Sequence, residues 1–76
     1  MKPPKHPDHK WVHIYRFSPG SIPWRENTWI DNHLVSFFTK EEGEAWVADR
    51  KNVGSDVDNM IVPIEALYAY LLLLNE

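Results

Sequence analysis

Four histidines and the closely spaced pair Asp56 and Asp58 are the residues of this 76-residue chain whose types and spacing could do chemistry. His6, Asp8, His9 and His13 fall within eight positions, the density of a metal site. Zinc, however, needs a fixed tetrahedral set with a supporting second shell. His6 and His9 lie in a proline-broken segment while His13 belongs to a strand pattern, so they read as solvated side chains, and His33 reads as structural. Asp56, Asp58 and Asn59 resemble the start of a calcium loop. Counting from Asp56 puts Ile61 where that loop needs glycine and Leu67 where it needs glutamate, so the motif fails. Gly20, Gly43 and Gly54 are too dispersed to cradle a phosphate. No G-x-S-x-G is present, and no serine, histidine and acid stand in a spacing that defines a triad. The chain is therefore expected to be non-enzymatic, with no metal and no cofactor.

What remains is chemistry of recognition. Lys10, Trp11, Tyr15, Arg16, Trp24 and Arg25 interleave cations with aromatic faces, a pattern suited to stacking on single-stranded nucleic acid. Charge opposes that reading. Residues 1–16 carry four bases against one acid, whereas residues 17–76 carry four bases against ten acids, within a net charge of −3. Such a body repels a phosphate backbone, so nucleic acid stands second to a protein partner. Four tryptophans favour a protein surface, because tryptophan, tyrosine and arginine dominate interface hot spots. Trp24 and Trp29, in a turn-rich segment, stand equally between exposure and burial; Trp46 reads as core. The partner-binding set expected on these grounds is Lys2, Lys5, His6, His9, Lys10, Trp11, Arg16, Trp24, Arg25 and Trp29.

The elements that must position these residues follow from pattern. Residues 1–10, MKPPKHPDHK, form a basic Pro/His-rich leader in which proline excludes both helix and ladder. It is expected to be disordered and to make no ladder or core contacts. Residues 11–76 form a single domain. Trp11 to Phe17 alternates aromatic with β-branched residues and reads as a strand. Ser18-Pro19-Gly20-Ser21 reads as a turn, and Pro23 to Asn32 reads either as a loop or as an irregular strand. His33 to Phe38 reads as a second strand. Thr39 and Glu42 have capping-box spacing and open a helix from Lys40 to about Lys51, with an acidic first turn and basic last turn. Asn52 to Asn59 is loop. Met60 to Val62 is a short strand, and Pro63 opens a helix to about Leu74 that is apolar all round, leaving Leu72 and Leu73 as surplus surface.

The order β-β-α-β-α, with an extra strand open at Trp24 to Ile30, gives an α+β fold: a small sheet covered by two helices. The expected core is Val12, Ile14, Leu34, Phe38, Trp46, Ile61, Ile64, Leu67 and Leu71. The absence of cysteine fits a reducing compartment. The polar start is not that of a secretory signal, and the apolar run from Ala66 to Leu74 is far short of the roughly 20 residues that span a bilayer. A cytoplasmic location follows as the expectation, with a monomer favoured over a homodimer built on Leu72 and Leu73.

In its leader KPPKHPDHK running into WVHIYRF, and in its size, acidity and tryptophan content, the chain resembles the small bacteriophage-encoded regulators of the Xanthomonas-phage type that bind bacterial RNA polymerase. The resemblance rests on the first 17 residues. It implies a cytoplasmic protein of a bacterial host that contacts the large polymerase subunits, inhibits initiation by displacing σ, and allows antitermination. On that reading Lys2, Lys5, Lys10 and Arg16 are the natural polymerase-facing cations.

Overall fold

The computed structural model describes residues 2–17 and 22–76; the turn expected at Ser18 to Ser21 lies outside the described residues. The fold is α+β, in the order β1 (Trp11–Phe17), β2 (Arg25–Glu26), β3 (Ser36–Phe37), α1 (Lys40–Ala48), β4 (Val57–Pro63) and α2 (Leu67–Leu74), with one 3-10 turn (Ile64–Ala66) leading into α2. β1 is the centre of an antiparallel sheet. One edge pairs with β4 along its whole length, from Trp11 opposite Pro63 to Phe17 opposite Val57. The other edge is shared: β3 pairs with Trp11 and Val12, and β2 with Ile14 and Tyr15.

Because β1 is central, both of its faces are covered, and its alternation sorts side chains between two cores. Val12 and Ile14 join Trp24, Leu34, Val62 and Leu67, with Ile64, Leu71 and Leu74 of the C-terminal segment packed against them. On the opposite face Val35, Phe37 and Ile61 form a smaller cluster, closed by Trp11 and by Trp46 and Val47 of α1. One helix therefore covers each face.

Several expected boundaries shift. α1 stops at Ala48 because Asp49 and Asn52 offer the chain an alternative: Asp49 Oδ1 accepts the Lys51 N–H (3.0 Å) and Asn52 Nδ2 donates to the Trp46 carbonyl (2.9 Å). Arg50 and Lys51 thus fall outside the helix. At its other end Thr39 Oγ1 accepts the Glu42 N–H at 3.0 Å, as the capping spacing requires. Pro63 remains extended as the last residue of β4, so the second helical segment starts at Ile64. β4 begins at Val57, three residues before the expected strand. Its turn-forming residues find cross-strand partners there: Asp58 receives Arg16 Nε at 2.9 Å, and Asn59 Oδ1 lies 2.7 Å from the His13 ring.

The open segment Pro23 to Asn32 is both strand and loop. β2 occupies Arg25 and Glu26, Thr28 bridges to Leu34, and Trp29 to His33 is a tight hairpin turn. Asn32 takes the left-handed conformation (φ 69°) that such a turn needs and asparagine tolerates, while Asp31 Oδ1 accepts the His33 N–H. In the next segment the expected core residue is off by one: Phe37 is buried, whereas Phe38 is 49% exposed. The expected strand from His33 contracts to Ser36–Phe37.

The leader has no helix or regular strand, as its prolines demand. The expectation that it makes no ladder contact is corrected. Pro4 bridges in parallel to Leu34, the Pro3 carbonyl accepts the Leu34 N–H at 2.8 Å, and the Lys5 N–H reaches Ser36 Oγ at 3.3 Å. Extended proline-fixed backbone lacks donors but keeps carbonyls, and the edge of β3 supplies the donors they can use.

His13 occupies an unusual place for an imidazole, at 2% exposure in the middle of β1. Asn59 Nδ2 donates to the Val57 carbonyl (3.1 Å), so its Oδ1 is the acceptor facing the ring and His13 Nε2 carries the proton. Asn27 Nδ2 then donates to Nδ1 at 3.1 Å. Both nitrogens are satisfied in the neutral form, and burial pushes the His13 pKa below the usual 6.5, against the smaller opposing effect of Asn59. The unfolded chain binds this proton more readily than the folded one, so stability is complete above pH 6.5 and declines as pH falls below it. A single such proton contributes a slope of at most about 1.4 kcal/mol per pH unit. Urea midpoints measured from pH 7.5 to pH 5 should fall accordingly, and His13→Gln should flatten most of the decline. His9, shifted in the same direction by burial and by His6, retains a smaller slope of the same sign. A midpoint independent of pH in the parent chain would contradict the assignment.

Among the described residues no helix is long and apolar enough to cross a membrane.

Candidate functional site

The expected recognition residues divide into three groups. In the leader, a turn closed by the His9 N–H on the His6 carbonyl (3.0 Å) brings the two imidazoles to 5.5 Å, and both rings meet Phe38 edge-on, at 5.0 Å and 4.3 Å. His9 Nδ1 lies 2.7 Å from Ser36 Oγ, which anchors the cluster to β3. Lys5 is paired with Asp31 at the hairpin tip, and that contact holds the Asp31 carboxyl down to about 2. Lys2 pairs with Glu26 at 3.6 Å. Lys10 is exposed; its backbone is held between Phe37 and Ile64.

Trp29 and Ile30 crown the hairpin that Lys5 reaches. Trp29 is half-exposed with its ring edge-on to Trp46 at 6.2 Å, and Ile30 is fully exposed. The Lys5–Asp31 pair thus joins the leader cluster to the hairpin tip as one candidate surface. That surface carries two imidazoles, the phenyl of Phe38, the indole of Trp29 and the side chain of Ile30. Exposed apolar area bordered by fixed polar groups is the composition of an interaction patch.

The remaining residues are placed elsewhere. Trp24 is not available to a partner: it is 9% exposed, within the core under α2. Its N–H and carbonyl are both taken by the Asn75 amide, at 2.6 Å and 3.0 Å, which ties the end of α2 to the start of β2. Arg16 is half-buried, bonded to Asp58 and stacked over the Trp24 ring at 5.1 Å, so its charge is spent inside the fold. Trp11 is half-buried in the smaller core. Arg25 is exposed on β2. Of the expected cations, Lys10 and Arg25 make no ion pair among the described residues.

Ile30 and Phe38 belong to the surface and were not expected there. Phe38 was not readable: alternation from Leu34 keeps Phe38 on the side of the larger core, and only the packing of Val35 and Phe37 in the opposite cluster shows which phenylalanine is buried. Ile30 carries no signal either, since an isolated isoleucine among turn-formers is compatible with either environment. The histidines are not gathered into a metal set. His13 is buried between two asparagines, away from the His6–His9 pair, and among the described residues no group of three or more metal-ligating side chains assembles.

Comparisons with known protein families, with curated proteins and with solved structures found no match.

Proposed function

We propose that this chain is a non-enzymatic regulator that binds a large host protein through the surface formed by its leader and hairpin tip. Bacterial RNA polymerase is the target that the resemblance of the first 17 residues implies, with σ displacement and antitermination as the corresponding outcomes. The observation that supports the binding reading is the Lys5–Asp31 contact, which fastens the leader with its His6–His9–Phe38 cluster to the hairpin that exposes Trp29 and Ile30. A leader already fixed in extended form loses less entropy on docking than a free one. Lys10 and Arg25, which make no ion pair among the described residues, supply the long-range attraction, and the apolar residues supply the affinity.

Gel filtration with nuclease-treated bacterial core polymerase tests this. The chain should co-elute with polymerase, and Ile30→Glu combined with Phe38→Glu should weaken the complex at least tenfold while lowering the thermal unfolding midpoint by no more than about 8 °C. Absence of co-elution refutes polymerase as the target. Full retention of binding by the double variant refutes the surface, and binding that disappears with nuclease transfers the reading to single-stranded nucleic acid.

A further inference from the structure

Among the described residues β4 is an edge strand, paired with β1 alone. Which of its backbone groups face outward follows from three hydrogen bonds. The His13 N–H donates to Val35 (3.0 Å) and the His13 carbonyl accepts from Asn27 (3.1 Å), so this residue of β1 turns its backbone toward β2 and β3. The Ile64 N–H donates to Lys10 (2.8 Å), so even-numbered residues of β1 are the ones that bond toward β4. With Ile61 opposite His13 and Asn59 opposite Tyr15, Ile61 and Asn59 present their own N–H and carbonyl groups away from β1. Asn59 and Ile61, with Met60 and Val62, line a groove of about 510 Å³ between the strand and the helices. α1 contributes Lys40, Glu44, Val47 and Ala48, which share one helix face, and α2 contributes Tyr70 from the other side.

We infer that this groove binds an extended peptide segment of another protein by strand addition to β4, and that the segment has alternating β-branched side chains flanked by basic residues. Strand addition is what an unpaired edge beside a helix-walled groove of this volume permits: main-chain bonds give affinity, and alternate side chains enter the walls. The edge is pre-formed, because the Asn59 side chain is bonded to His13 and Ile61 is buried under α1. Charge selects the flanks. Lys40 and Glu44 oppose one another within the groove, leaving the sign to its surroundings: Glu41 beside Lys40 in the first turn of α1 and Asp56 just before β4, in a chain of net charge −3. A second copy of the chain is the poorer occupant. Its β4 arrives carrying two helices of its own and the same acidic body, and α1 and Tyr70 stand on either side of the edge it would have to reach. The inference is independent of whether polymerase is the host protein, since it concerns a different edge of the sheet from the leader.

Titration of the full chain with the capped peptide Lys-Val-Thr-Val-Lys, and with Glu-Val-Thr-Val-Glu as its charge inverse, is the test. The basic peptide should shift backbone amides of β4 and α1 and slow hydrogen exchange at Asn59 and Ile61 at least tenfold, and it should bind at least threefold more tightly than the acidic one. Ala48→Trp, an exposed position that projects into the groove, should weaken binding at least tenfold, and Glu44→Lys should reverse the preference between peptides. Equal affinity for the two peptides, amide shifts away from the groove, or no binding at millimolar peptide overturns the inference. So does a doubled mass in sedimentation with Asn59 and Ile61 protected before any peptide is added, which makes the second copy the occupant.

Discussion

Leu34→Ala should destabilise the fold by about 2–5 kcal/mol, a large share of the roughly 5–15 kcal/mol that holds a typical domain together. Leu34 is fully buried in the larger core with Trp24 and Leu67, and its backbone is the meeting point of three segments. It bridges to Pro4 of the leader and to Thr28 before the hairpin, and its N–H is held by Pro3. Truncation leaves a cavity that cannot collapse without pulling at least one of those segments inward. Phe38→Ala, four positions on, should cost no more than about 1 kcal/mol, because half of that ring is already in water and its partners are the leader imidazoles. Urea unfolding of the two variants decides the matter: a lower midpoint with an unchanged m-value is expected for Leu34→Ala, and equal effects at the two positions would refute the assigned faces.

Gly43→Val should be at least as damaging, by a different route. Gly43 is the buried residue of α1, and a Cβ placed there would lie 2.9 Å from both Ile61 Cγ2 and Phe37 Cδ2, and 3.1 Å from Ile61 Cδ1. Those atoms belong to buried side chains with little room to move. For alanine the overpacking cost of about 1–3 kcal/mol is partly offset by about 1 kcal/mol of improved helix propensity. Valine adds two further methyl groups and loses most of that offset. We expect about 3 kcal/mol or more for valine, with α1 lifted from the sheet. Trp46 reports on this directly, since its ring packs against Phe37 at 5.6 Å and against His13 at 5.1 Å. Its near-ultraviolet circular dichroism should weaken in Gly43→Ala and collapse in Gly43→Val. Stability equal to the parent in the valine variant would mean that α1 does not approach the sheet this closely.

These two positions also mark what can be read from residue types alone. The β1 segment declares itself, because an alternating run of aromatic and β-branched residues has few other uses, and its bounds are those observed. The same is true of the capped start of α1 and of the apolar excess of α2, whose Leu72 and Leu73 remain 71% and 66% exposed. Gly43 reads locally as a weak point in a helix; only the partner surface turns it into a requirement for close approach. Asp58 and Asn59 read as loop, and become strand because Arg16 and His13 wait across the ladder. Two-residue strands such as β2 and β3 leave almost no periodicity to detect, so the hairpin and the Phe37/Phe38 choice stay open until pairing is known.

For the recognition surface the division is similar. Composition pointed to tryptophans and leader cations, yet Trp24 and Arg16 are consumed by the fold and Lys2 and Lys5 by internal ion pairs. Whether a cation is free depends on which acid lies beside it in space, and that is a long-range property. Proline content correctly excluded regular structure from the leader, but it says nothing about whether a neighbouring edge will bond to proline carbonyls.

The pairing of β1 with β4 has a temporal consequence. His13 and Asn59 lie 46 positions apart, and Arg16 and Asp58 lie 42 apart. A nascent chain therefore holds its central strand half-dressed throughout synthesis of the hairpin and α1, gaining its longest ladder only after β4 emerges. Sheets closed by such distant segments assemble slowly, on the millisecond-to-second scale rather than in microseconds, and a ribosome-tethered fragment ending before Val57 should expose the Val12 and Ile14 edge to chaperones.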